Sequence, residues 1–157
     1  MSEHHTFETT LAWPADPAQP LPPDQSFSRN NSLAAPGKQT IPGSSPAVFG
    51  GDASRYNPEE LLMLSLSECH MLTYLAIAAK KRMGILKYED RATGTLGPGP
   101  SGKTQMIEVL LRPRVTVAKG TNLQDATVMH DKAHANCFMA NSVNFLVRNE
   151  PEVVEAD

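Results

Sequence analysis

Two cysteines in a chain of 157 residues, Cys69 and Cys137, are the side chains here with the most accessible chemistry. That is too few for a disulfide framework, so they read as thiols. A thiolate is a nucleophile and a metal ligand, and its reactivity follows its surroundings. Cys69 lies in the middle of a long apolar stretch, and Cys137 near the end of an amphipathic one. If both stretches are helices that pack at an interaxial distance of roughly 8 to 10 Å, facing cysteines can approach disulfide geometry. Free cysteine is equally at home as a small core residue, and spacing alone does not separate the two readings.

Two further groups could do chemistry. His130, His134 and Cys137 follow one another in steps of four and three, which places them within one helical arc, as a zinc site would need, with Cys69 or His70 as a fourth ligand. No Cys-x-x-Cys knuckle accompanies them, and histidines at this spacing also occur on solvent-facing helix surfaces. Arg29 shares the period-two face of Phe27, Asn31 and Leu33 in the segment Gln25 to Leu33. An arginine aimed at a core needs an anion; one on an edge strand reaches water instead.

The element that must carry Cys69 runs from Asn57 to Gly84, NPEELLMLSLSECHMLTYLAIAAKKRMG. Asn57 is a cap, Pro58 suits the first helical position, and Glu60 completes a capping box. Lys80, Lys81 and Arg82 suit the C-terminal dipole, and Gly84 the left-handed cap. Leucines and methionines leave almost no polar angle, which predicts a helix over 58–84 buried on nearly every side. At 1.5 Å per residue it is roughly 40 Å long, enough to cross a bilayer. Ser65, Ser67, Glu68, Cys69, His70 and Thr73 oppose that, because polar groups at bilayer depth are costly.

With 40% hydrophobic and 20% charged residues the chain is globular, and one domain over 1–157 is expected. A net charge of −3 without a basic cluster gives no footprint for nucleic acid. Met1 to Trp13 lacks a signal-like apolar core, which points to the cytoplasm.

Residues 1–57 are rich in proline, with strand-like alternation over His5 to Trp13 and Gln25 to Leu33, a proline loop from Pro14 to Pro23, and an irregular connection rich in Pro, Gly and Ser over 34–57. After the helix, 85–118 reads as a hairpin: a strand to Leu96, a turn over Gly97 to Lys103, and a strand from Thr104 to Ala118. Ile107, Val109, Leu111, Val115 and Val117 share one face of that second strand, and Pro113 marks it as an edge or a bulge. A second helix is expected over 121–141, capped by Thr121 and Gln124, with the stripe Ala126, Met129, Ala133, Cys137, Ala140. A last short strand covers 142–149. This order predicts an α+β fold. The apolar surface exceeds what one small sheet can cover, and a dimer that wraps sheet around the long helix would resolve the excess.

The stretch RYNPEELLMLSLSECHMLTYLAIAAK, followed downstream by HANCFMANSVNF, resembles the OsmC/Ohr family of thiol-dependent hydroperoxide reductases. SRNNSLAAPGKQTIPGSSP and EVLLRPRVTV are similar to the corresponding stretches of an OsmC-like branch. The resemblance implies an intertwined homodimer of α+β subunits whose antiparallel sheets enclose the central helices. The family's reactive cysteine falls on Cys69, its resolving cysteine on Cys137, its glutamate on Glu59 and its arginine on Arg29. It implies reduction of organic hydroperoxides to alcohols through a Cys69 sulfenic acid and a Cys69–Cys137 disulfide. An external dithiol, typically dihydrolipoyl in the family, then recycles the enzyme. No cofactor, metal, nucleic acid or membrane enters.

The residues fit those roles physically. A thiolate among apolar side chains needs a favourable charge nearby, which Arg29 would supply while Glu59 holds the guanidinium. Glu59 also suits the first turn of a helix on dipole grounds alone. Ten helical residues put Glu59 roughly 15 Å from Cys69, so they cannot touch directly. The sequence departs from the family's pattern at Asn30 and Asn31, where an acid and a histidine often follow the arginine, and at Glu68, beside Cys69, where a small residue is usual. A non-catalytic small-molecule-binding protein on the same fold is the alternative, with a zinc protein behind it.

Overall fold

The computed structural model describes residues 3–13 and 21–157, so most of the proline loop lies outside the described residues. It divides into two compact units, Met1–Leu61 and Leu62–Asp157.

Among its described residues the first unit holds three short antiparallel strands in the order β1-β2-β3: β1 (Thr10–Ala12), β2 (Asn31–Ala34) and β3 (Ile41–Gly43). Leu11 pairs with Leu33, which pairs with Ile41, so a row of aliphatic side chains crosses the sheet. The first two strands are shorter than the alternation predicts. Asp24 takes the backbone N–H and the hydroxyl of Ser26 into a local turn, and the Trp13 indole donates to the Ser28 carbonyl at 2.7 Å. These local bonds displace ladder bonds, so β2 begins at Asn31 and Arg29 precedes it rather than belonging to a strand. β3 sits at the sheet edge with Pro42 in its middle, where a missing donor is tolerated.

The helix α1 runs over Pro58–Lys80. The capping box is present: Asn57 Oδ1 accepts from the Glu60 N–H at 2.9 Å, and Glu60 Oε2 from the Asn57 N–H at 3.2 Å. The helix stops earlier than predicted. Arg82, with φ 55°, takes the left-handed conformation expected of Gly84. Gly84 serves close approach instead: its carbonyl accepts from Ala118 at 2.7 Å, and a Cβ there would stand 2.8 Å from the Ala118 side chain. An 18-residue window of α1 has mean hydropathy 1.5, enough by length and composition to cross a membrane. Its packed stripe is Leu66, His70, Tyr74 and Ala78, one residue per turn, rather than the full circumference, and Leu64 and Leu72 are more than half exposed.

Within the second unit the strands β4 (Ile85–Asp90), β5 (Thr93–Pro98), β6 (Thr104–Leu111), β7 (Pro113–Val117), β8 (Leu146–Asn149) and β9 (Glu152–Glu155) form two sheets, ordered β4-β7-β9 and β5-β6-β8. The expected hairpin over 85–118 is therefore two pairings: β5 with β6, and β4 with β7, both antiparallel. The chain changes sheet at Arg91–Ala92, at Arg112 and at Glu150–Pro151. Pro113 starts β7, where its absent N–H costs no ladder bond, and β7 is a central strand rather than an edge. β8 and β9 pair in parallel with β6 and β7, and β9 has no counterpart in the sequence expectation.

A bulge alters one face. Thr95 faces Glu108 while Leu96 faces Met106, leaving Ile107 unopposed. The parity of β6 shifts there, so Met106 is buried and Ile107, expected in the core, is exposed. Val109, Leu111, Val115 and Val117 are buried as expected.

The second helix, α2 (Leu123–Asn136), is shorter than 121–141. Asn122, not Thr121, caps it, accepting from Asp125 N–H at 3.0 Å. Cys137 is its C-cap, and a single 3-10 turn over Ala140–Ser142 follows. Helices and mixed sheets together make the fold α+β.

Candidate functional site

The structure brings Cys69 and Cys137 together. Cys69 lies half-buried in the middle of α1, where Thr73 Oγ1 donates to its carbonyl at 2.8 Å. Cys137 is 1% exposed at the end of α2. The two side chains lie close enough to interact. Burial, followed by the interaction with Cys69, pushes the Cys137 thiol up to about 11, while the Ala140 and Met139 N–H groups pull it back. The Ala140 N–H donates to Cys137 Sγ at 3.4 Å. Near pH 7 Cys137 is therefore a thiol. Glu68, the anomalous neighbour, is exposed, as the 100° step between adjacent helical residues leads one to expect.

A buried polar cluster stands beside the thiols. His70 and His130 are 1% and 0% exposed, with His70 Nε2 and His130 Nδ1 3.0 Å apart and the rings nearly parallel at 7°. Tyr74 stacks on His130 at 4.2 Å, and its hydroxyl donates to the Ala126 carbonyl at 3.0 Å. Burial drives His70 down to about 4, with His134 adding to the effect and Asp90 opposing it. Burial and His70 drive His130 down to about 3. Both imidazoles are neutral near pH 7. Ser67 donates to Asp90, whose other oxygen accepts from the Arg112 N–H at 2.6 Å. His70 Nδ1, His130 Nε2, His134 Nδ1 and the Tyr88 hydroxyl are enclosed with no hydrogen-bond partner among the described residues.

This geometry works against the zinc arrangement of His130, His134 and Cys137. His130 Nδ1 is engaged by His70, Cys137 by Cys69 and Ala140, and no group of three or more His, Cys, Asp or Glu among the described residues is set to hold a metal ion. His130 does not face solvent. A histidine inside the apolar stripe of α2, one turn after Ala126, signals a partner, and that partner is His70.

Arg29 and Glu59 belong to the first unit. The Arg29 guanidinium lies 4.8 Å from the centre of the Phe27 ring, and its Nη1 donates to the Phe27 carbonyl at 3.3 Å. Gly50, with φ 77°, backs onto it: a Cβ there would sit 3.2 Å from Nη1. Among the described residues Arg29 makes no ion pair, and Glu59 Oε2 is enclosed without a hydrogen-bond partner.

The site thus holds two thiols, Cys69 from α1 and Cys137 at the end of α2, within an α+β fold. The family's sequence profile matches residues 51–150, and the chain belongs to the OsmC-like family. It is similar to an OsmC-like protein of unknown function from Vibrio cholerae, at 35% identity over 94% of this chain and 99% of that one, with a TM-score of 0.87. More distant structures share the fold. An organic hydroperoxide resistance protein from Elizabethkingia anophelis has 18% identity over 99% and 100% of the two chains, TM-score 0.71. The organic hydroperoxide resistance protein OhrB of Bacillus subtilis has 18% identity over 95% and 98%, TM-score 0.64. No curated protein matches the chain.

Proposed function

We propose that this protein is a thiol-dependent peroxidase that reduces organic hydroperoxides to alcohols. Membership of the OsmC-like family and the fold shared with hydroperoxide resistance proteins support a redox role. The observation that carries the finer reading is the adjacency of Cys69 and Cys137, with Cys137 retained as the protonated partner.

In the proposed cycle the Cys69 thiolate attacks the distal oxygen of the hydroperoxide. The O–O bond breaks, the alkoxide leaves and takes a proton to become the alcohol, and Cys69 becomes a sulfenic acid. Cys137 sulfur then attacks the Cys69 sulfur; the hydroxyl departs as water with the Cys137 proton, and a disulfide forms. An external dithiol, in the manner of a dihydrolipoyl group, exchanges with that disulfide, restoring both thiols and leaving as its own disulfide. Arg29 and Glu59, on which the family's arginine and glutamate fall, are proposed to keep Cys69 charged and the peroxide oriented. The abundance of Leu and Met on the helix that carries Cys69 favours alkyl or fatty-acyl peroxides over hydrogen peroxide.

The working form is proposed to be a cytoplasmic homodimer. Leu64 and Leu72 of α1 are 52% and 55% exposed in the single chain, an apolar face that a second copy would cover. The test is turnover of cumene hydroperoxide with a dithiol: Cys69→Ser abolishes it if the proposal holds. Undiminished turnover in Cys69→Ser, or no turnover by the native protein together with no sulfenate at Cys69, would point instead to a non-catalytic binding protein.

A further inference from the structure

Three pairings join α1 to α2, and they descend α2 as they ascend α1. Cys69 meets Cys137, His70 meets His130, and Tyr74 meets the Ala126 carbonyl. Cys69 and His70 are adjacent, so their side chains diverge by about 100°. They reach points on α2 that are seven residues apart, roughly 10 Å along a helix. A directional bond at one of those points and a sulfur contact at the other fix both the rotation and the slide of α2 relative to α1.

The histidine pair is a costly way to fill a core. The two rings satisfy one nitrogen each, leaving His70 Nδ1 and His130 Nε2 enclosed without a partner among the described residues. An unsatisfied buried polar atom is destabilising, and two apolar side chains of the same shape would avoid that. An apolar pair, however, lets neighbouring registers interconvert, whereas a buried hydrogen bond specifies one. A disulfide tolerates little error, since its Cβ atoms must lie about 3.5 to 4.5 Å apart.

We infer that His70 and His130 are positioning residues: their ring-to-ring hydrogen bond sets the helix register that brings the Cys137 sulfur onto Cys69, and so sets how readily that disulfide forms and is reduced. The inference rests on the proposed thiol cycle. It assigns the pair no contact with the peroxide. Tyr74 belongs to the same interface but ties it one turn further from the sulfurs, so its bond governs helix packing more than sulfur alignment.

The test is the equilibrium of the full-length protein with reduced and oxidised glutathione, read as the fraction of Cys69–Cys137 disulfide by mass spectrometry after acid quench. His130→Phe and His70→Phe keep the ring and the volume but break the bond. Each is expected to lower the disulfide equilibrium constant about tenfold, which is about 30 mV for a two-electron couple. His130→Asn can place an acceptor near the Nδ1 position, and is expected to recover most of the loss. Tyr74→Phe, which removes the neighbouring tie, is expected to stay within about twofold of the native protein. Either phenylalanine variant decides the point alone, so one that does not fold leaves the other.

The inference is overturned if the native protein forms the disulfide and the histidine variants match it, or if Tyr74→Phe shifts the constant as far as they do. A native protein that forms no Cys69–Cys137 disulfide even in fully oxidised buffer overturns the thiol cycle itself, and the positioning role with it.

Discussion

Acidification should unfold this protein over a window set by two histidines. His70 and His130 are neutral in the fold, lowered from the ordinary 6.5 to about 4 and about 3, with burial as the leading cause in each. In the unfolded chain both take up protons as the pH falls through about 6.5. The unfolded state therefore binds more protons than the folded one below that value, so stability rises with pH across the window and is lost on acidification. Each group contributes up to about 1.36 kcal/mol per pH unit. From pH 7 down to about 4.5, the two together remove on the order of 5 kcal/mol, a large share of the roughly 5 to 15 kcal/mol of an ordinary domain. The surface carboxylates Asp24, Asp52 and Glu89 are held below their ordinary values, 3.8, 3.8 and 4.5, so their loss falls mainly below this window. Urea unfolding followed by far-ultraviolet circular dichroism, at fixed protein concentration and several pH values between about 7 and 4.5, reads the slope. The double variant His70→Phe with His130→Phe should flatten it. A native midpoint that stays constant from pH 7 to 5, or imidazole proton resonances of His70 and His130 that titrate near pH 6.5, would refute the reasoning.

Other outcomes follow from the same geometry. Cys137→Ser should leave the first turnover intact but strand Cys69 as a sulfenic acid, so excess hydroperoxide carries it to sulfinic acid, a gain of two oxygens visible by mass. Arg29→Lys keeps the charge but loses the planar fork, and should lower kcat/KM by about 10²-fold in a steady-state hydroperoxide assay while leaving thermal stability nearly unchanged. Gly50→Ala puts a side chain at φ 77° and 3.2 Å from Arg29 Nη1, and should cost about 1 kcal/mol in urea unfolding. Burial raises Tyr74 to about 12 and also raises Tyr88, so the folded state binds more protons than the unfolded one above about pH 10; stability should fall as the pH rises there, less steeply in Tyr88→Phe.

The parts of the fold legible in the sequence are those written by local chemistry. Asn57, Pro58 and Glu60 announce the start of α1 through a capping box that needs no tertiary partner. Strand alternation fixes the inward faces at Val109, Leu111, Val115 and Val117, but the bulge at Ile107 exchanges it with Met106, because parity is lost wherever one residue goes unopposed. Pairing is a long-range property: that Pro113 opens a central strand, with Glu152–Glu155 beside it, depends on where the chain changes sheet. At the site, helical spacing flagged Cys69, Cys137, His130 and His134, and the family resemblance paired the cysteines. The partnership of His70 with His130 escaped, since it joins residues 60 positions apart and periodicity within either helix does not encode it. The near-continuous leucines of α1 overstated its burial, because a single chain covers only the stripe Leu66, His70, Tyr74 and Ala78.

The account turns on two sulfurs acting as one redox unit, and intact-mass spectrometry before and after one equivalent of cumene hydroperoxide tests that most directly. It predicts a loss of two hydrogens per chain, with peptide mapping that joins Cys69 to Cys137 and reversal by a dithiol. An unchanged mass, or oxygen added elsewhere while both cysteines remain free, would contradict it.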